Sequence, residues 1–221
     1  MSYSLIRSTL LTVSLATLSA CGGGGSSSTP AAQYPLDLAF SDFFQMAHAY
    51  SLSATSGSDS YTLDITLAPG SQASFQGVQA MTVKSHTIET KDGSLVGSGA
   101  GTDYFVTTPF TELGAVESSG LTQIDSDQKA LPEFAEAGAG GALDSQKYYS
   151  SSNLITQIAA GTRTWTLAAL TADTAQFCVH DTDDLGGSPE TEIDCYDMDV
   201  KGNVTAVQIT FEANGQSLTF K

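Results

Sequence analysis

The stretch VQITFEANGQSLTF, residues 207–220, decides the fold class. Val207, Ile209 and Phe211 alternate with Gln208, Thr210 and Glu212, the period of two that a half-buried strand requires. Asn214-Gly215 suits a two-residue hairpin turn, whose central residues both take positive φ. A turn there sets Phe211 opposite Leu218 and Ile209 opposite Phe220, so both strands place apolar residues on one face. The same period recurs upstream, where Leu63, Ile65 and Leu67 alternate with Asp64 and Thr66. Turn signals stand at Pro69-Gly70, Asp92-Gly93 and Lys201-Gly202. The expected fold is mainly β, an antiparallel sandwich or barrel-like sheet with one N-terminal helix. That helix is predicted over 37–50, where Phe40, Phe43, Phe44, Ala47 and Tyr50 form an apolar stripe. His48 lies beside the stripe and reads as packing or surface. Leu131 to Phe134 reads as a short helical turn, ended by the glycines at 138, 140 and 141.

The alternation also positions two of the three cysteines. Phe177 and Val179 are apolar, so Gln176, Cys178 and His180 point to the other face. Tyr196, Met198 and Val200 are apolar, so Cys195 and Asp197 point outward. Pairing Cys178 with Cys195 aligns Phe177 with Tyr196 and Ala175 with Met198. A disulfide between them is expected as a cross-strand staple on the outer face. In the chain-entropy view it contributes roughly 3 kcal/mol. Such a bond persists in an oxidising compartment.

Cys21 stands apart. Before it, Met1 to Arg7 is a short polar start with one positive charge, and Ser8 to Leu18 is a modestly apolar run, followed by the small residues Ser19 and Ala20. This is the three-part design of a secretory signal, too short to serve as a permanent span. Leu18-Ser19-Ala20-Cys21 resembles the lipobox of bacterial lipoproteins, which is a branched aliphatic, two small residues and cysteine. The resemblance implies that the Cys21 thiol carries a diacylglyceride, that the chain is cut before it, and that the new amino group is acylated. Gly22 in place of aspartate implies transfer to the outer membrane of a Gram-negative cell. From Gly22 to Thr29 the chain holds only glycine, serine and threonine, a flexible tether. The expected organisation is a signal over 1–20, the lipidated cysteine and tether over 21–34, and a single β-rich domain over 35–221. In organisation alone, the mature chain resembles small β-rich lipoproteins of proteobacteria.

Composition narrows the partners. The formal net charge is -16, and losing residues 1–20 removes Arg7 but no acid. So acidic a surface repels nucleic acid and anionic headgroups, leaving the membrane reached through Cys21 as the expected partner. Any protein partner or surface ligand is left open by the sequence.

Catalytic patterns are sparse. His48, His86 and His180 form no metal-ligand spacing, and no nucleophile elbow occurs. Ser126 and Lys129 fit Ser-x-x-Lys without its companion motifs, and Gly97 to Gly101 lacks the spacing of a nucleotide loop. No cofactor and no metal is expected. Eight of the 24 acids fall between Asp181 and Asp199. Asp181-x-Asp183-x-x-Gly186, with Glu192 twelfth, overlays part of a calcium-loop spacing. Leu185 stands where an oxygen ligand is needed, and Pro189 occupies the ninth position. Residues 181–192 are therefore expected to form a solvated hairpin tip. Three functions follow: a membrane-anchored structural or binding domain, first; an accessory subunit of an envelope complex, marked by an exposed apolar patch; and a hydrolase whose carboxylates converge only in space, marked by strongly shifted carboxyl groups.

Overall fold

The structure, a computed structural model, describes residues 32–185 and 187–221. Cys21, the signal, the tether up to Ala31 and Gly186 lie outside the described residues. The chain begins with β1 (Gln33–Tyr34) and α1 (Leu36–Phe44), followed by β2 (His48–Ser56), β3 (Asp59–Pro69), β4 (Ala73–Phe75), β5 (Val78–Lys91), β6 (Ser94–Thr107) and β7 (Phe110–Glu117). It continues through β8 (Thr122–Ser126), β9 (Ala135–Glu136), β10 (Gly140–Tyr149), β11 (Gln157–Ala169), β12 (Thr174–Asp183), β13 (Glu190–Asp199), β14 (Val204–Ala213) and β15 (Gln216–Phe220).

Twelve of these strands form one antiparallel path, from β2 through β3, β5, β6, β7, β8, β10, β11, β12, β13 and β14 to β15. The path nearly closes on itself. Ser53 of β2 and Lys221, just past β15, exchange both backbone hydrogen bonds at 3.1 Å. This pair brings the two edge strands together in a nearly closed barrel, which shields edges that an open sheet would leave bare. The expectation of a mainly β, barrel-like sheet therefore holds. The 207–220 hairpin has the register read from its sequence, Phe211 opposite Leu218 and Ile209 opposite Phe220. Asn214 and Gly215 both take positive φ, at 53° and 75°.

The barrel has two unlike ends. Six connections, including those after β2, β5, β12 and β14, lie at one end, called here the hairpin end. Helix α1 plugs the other. Phe40 packs edge-on against Phe110 and, across the lumen, against Phe177, while Phe44 lies 4.9 Å from Phe105. Gly202, at φ 88°, lets the β13–β14 turn approach this plug; a Cβ there would come within 3.0 Å of Pro35 and 3.3 Å of Ala39.

Three local readings are corrected. The helix stops at Phe44 rather than 50. His48 Nε2 donates to the Phe43 carbonyl at 2.8 Å and stacks on its ring, and from His48 onward the chain alternates as β2. Tyr50 thus belongs to the strand that lines the lumen, and its spacing from Phe43 matched a helix only by accident. Regular structure is also present before Pro35, since Gln33–Tyr34 pairs with Ala135–Glu136 and Tyr34 is buried. Finally, Leu131 to Phe134 is not a helical turn but an irregular segment leading into β9. Pro132 has no backbone N–H to donate, and Leu131 is held by burial instead.

Candidate functional site

The lumen is where the chemistry collects. Alternation sorts every strand into an outward and an inward row. The outward row is rich in hydroxyls and charge, for example Ser51 and Ser53 of β2, Thr62 and Asp64 of β3, and Thr162, Thr164 and Thr166 of β11. A barrel that spans a membrane shows the reverse, an apolar outer band. This outer wall mixes hydroxyls with single apolar residues such as Ile88, Ile124 and Ile193. Among the described residues no helix is long and apolar enough to cross a membrane.

The inward row is split. One side of the lumen, from β14 through β15, β2 and β3, is apolar: Leu52, Leu63, Ile65, Ile209 and Phe220 form one buried cluster. The other side is acidic and is organised by Arg163 of β11. Arg163 Nε donates to both oxygens of Asp144, at 3.1 and 3.0 Å, and Nη2 donates to Asp144 and Asp125 at 2.6 Å each. Nη1 bonds Glu112 of β7. Gln123 supports Asp125 at 2.8 Å. A planar guanidinium suits such forked bonding, and its charge assists each bond.

The acidic wall continues past Arg163 with no second cation among the described residues. In register, Arg163 faces Asp181 of β12, and Asp181 faces Glu192 of β13. Asp194 follows two residues after Glu192, on the same row. Gln146 Nε2 donates to Asp181 Oδ2 at 2.8 Å, and Gln146 Oε1 accepts from the Tyr148 hydroxyl at 3.1 Å. Asp181 Oδ1 and Asp194 Oδ1 are enclosed and have no hydrogen-bond partner.

One guanidinium does not neutralise this many carboxylates, and their proton affinities rise accordingly. Burial lifts Asp125 to about 7, with Glu112 and Asp144 adding repulsion against the opposing pull of Arg163. Burial and repulsion from Glu112 lift Asp103 of β6 to about 8, again opposed by Arg163. Asp194 rises to about 7 through burial and the charge of Asp181, and Asp181 to about 6 through burial, opposed by Arg163 and Gln146. Glu192 is raised by burial and by Asp194.

Glu192 lies on the inward row, opposite Asp181 and Phe211, yet its surface is exposed. The lumen beside it must therefore hold water-sized room. Gly97, Gly99 and Gly101, which share the inward row of β6 with Asp103, add to that room by presenting no side chain.

The expected solvated tip over 181–192 is thus corrected. Only 184–189 connects the strands, because Asp183 already pairs with Glu190. Asp181 and Glu192 point into the barrel, the parity that Phe177 and Tyr196 impose on their strands. Leu185 caps the connection, its N–H bonding Asp183 Oδ1 at 2.7 Å. Among the described residues no three carboxylates, imidazoles or thiols converge as a metal-holding group.

Cys178 and Cys195 face each other in register, flanked by Thr166 and Gln208, with their sulfurs 2.11 Å apart. Both are buried although their row is the outward one. His180 bonds Thr166 at 3.0 Å outside the barrel, His86 is exposed, and Ser126 donates to the Ser145 carbonyl at 3.2 Å. None of these meets the lumen groups. Sequence reasoning missed Arg163, Asp125, Asp144 and Glu112. The available signal was parity: Arg163 shares a row with Trp165 and Leu167, a charge on a face otherwise apolar.

At the plugged end, a cleft of about 500 Å³ opens between α1 and the segment before β9, lined by Leu38, Ser41, Pro109, Leu131 and Phe134 among others. Asp37 lies in it, its carboxyl raised by burial and by Glu133.

The fold and site together define a nearly closed antiparallel barrel with a hydroxyl-rich outer wall, a helix plug and an acidic lumen. Comparison with family models, with curated proteins and with solved structures finds no match.

Proposed function

We propose that this chain is a membrane-anchored lipoprotein that holds an acidic β-barrel away from the outer membrane as a structural or binding domain. The observation that supports the reading is the placement of β1, the first described strand. β1 is stitched to β9 beside the helix plug, so the chain enters the barrel at one end while the hairpins project from the other. A hydroxyl-rich outer wall offers the bilayer no continuous apolar band, which favours a link through the segment before β1. A tether from Cys21 attaches at the plugged end and turns the hairpin end, with its exposed Leu95, Val96, Ile155 and Ile158, toward the surroundings. Two or more acyl chains make such anchoring stable.

A second reading, an accessory subunit of an envelope complex, draws on the plugged end, where Leu38, Met46, Phe134, Leu170 and Val200 are exposed. That surface would be covered by a partner. The raised lumen carboxyls match the mark set for a hydrolase, but burial and crowding of acids raise carboxyls in structural sites too. Here Asp125 and Asp144 are already bound to Arg163.

Replacing Cys21 with serine tests the main reading. Radioactive palmitate should label the native chain and not the variant, which should accumulate uncut and leave the membrane fraction. Equal labelling of both would overturn it.

A further inference from the structure

We infer that the lumen is a binding site for an organic cation, an ammonium or guanidinium group carried on an apolar body. The inference concerns the folded barrel alone and stands whether or not Cys21 is lipidated.

Four observations lead to it. First, the acidic wall is unbalanced. Arg163 engages Glu112, Asp125 and Asp144, which leaves Asp181, Glu192 and Asp194 facing the lumen without a cation. Second, two of their oxygens, Asp181 Oδ1 and Asp194 Oδ1, are enclosed and unpartnered. Native proteins seldom leave such acceptors bare, because each costs the desolvation that a donor would offset. Third, the room exists, as the exposed surface of inward-pointing Glu192 requires. Fourth, the acidic row adjoins an apolar one: Glu192 faces Phe211 and Asp194 faces Ile209 in register, with Leu218 and Phe220 on the next strand.

The chemistry of the guest follows from these. A bare metal ion needs several oxygens converging on one point, and no three acidic side chains are so placed among the described residues. An ammonium or guanidinium spreads its N–H donors over several ångströms, matching acceptors distributed along two strands. The apolar wall one strand away then receives the carbon body, which burial holds there. An anion would meet the carboxylates, and a neutral apolar guest would leave the two enclosed oxygens unsatisfied.

The test uses the full chain carrying Cys21→Ser, with hexylammonium as probe, calorimetry as readout, and hexan-1-ol and calcium chloride as comparisons at physiological salt and pH 8. Hexylammonium should bind saturably at one site, and hexan-1-ol at least about tenfold more weakly. Asp194→Asn and Glu192→Gln, which keep side-chain shape, should each weaken hexylammonium by about tenfold or more, as loss of one partner of an enclosed charge pair does. Glu212→Gln, on the outward row of β14, should leave binding unchanged. Thermal unfolding of each variant checks that the barrel is intact. Hexan-1-ol binding as tightly as the amine, failure of hexylammonium to saturate, or indifference to both lumen variants would overturn the inference. Calcium saturating one site and excluding the amine would overturn it as well, assigning the wall to a metal.

Discussion

Replacing Asp194 with asparagine should make the barrel more stable at alkaline pH, against the usual expectation for loss of a buried charge. Asp194 lies across from Ile209, with Oδ1 enclosed, no donor to it and the charge of Asp181 nearby. Its folded carboxyl is raised to about 7, whereas an unfolded aspartate titrates near ~3.9. The folded state thus holds the proton more tightly than the unfolded chain. The stability Asp194 contributes is full below pH ~4 and is lost as pH rises through about 7. Above that, the folded barrel carries a charge that the unfolded chain accommodates freely. Three pH units correspond to an upper bound of ~4 kcal/mol. Water in the lumen screens the charge, and part of the repulsion is removed by moving Asp181 instead, so a gain on the order of 1–3 kcal/mol is expected at pH 8. The assay is urea unfolding of native chain and variant at pH 4 and pH 8. The variant should gain at pH 8 and lose that advantage at pH 4. A variant no more stable than the native chain at pH 8, or one with the same gain at both values, would refute the reasoning.

Arg163→Met should act in the opposite direction. It leaves Glu112, Asp125 and Asp144 without their shared cation, and breaking such a pair costs ~3–5 kcal/mol. The loss in urea unfolding should be largest at pH 8 and shrink toward pH 5, where Asp125, raised to about 7, takes up a proton. Replacing Cys178 and Cys195 together with alanine should lower stability by roughly 3 kcal/mol. Intact mass of the unreduced native chain should fall two hydrogens short of the free-thiol value, and two free thiols would contradict the bond.

The sequence made the hairpins legible because local chemistry decides them. Asn214-Gly215 and Asp92-Gly93 specify their own turns, and alternation fixes register once a turn is placed, down to Cys178 opposite Cys195. The lumen was harder for two reasons. Barrel closure between Ser53 and Lys221 joins residues far apart in sequence, and no local pattern announces it. The acids of 181–192 read as a solvated tip because charge usually means exposure. Yet Glu192 and Asp194 share parity with Tyr196 and Met198, just as Arg163 does with Trp165. Parity was the stronger guide. It failed at the helix boundary, where Tyr50 fits a period of 3.6 counted from Phe43 and a period of two counted from Leu52 alike.

A carboxyl-carbon NMR titration of the folded protein tests the acidic lumen most directly. Asp103 should titrate near about 8, and Asp125 and Asp194 near about 7. Asp92, an exposed turn residue whose carboxylate accepts from the Ser60 N–H and hydroxyl, should titrate below the ordinary aspartate range and serve as the internal reference. Midpoints near ~4 for Asp103, Asp125 and Asp194 would mean that these groups sit in open water, and would contradict the account.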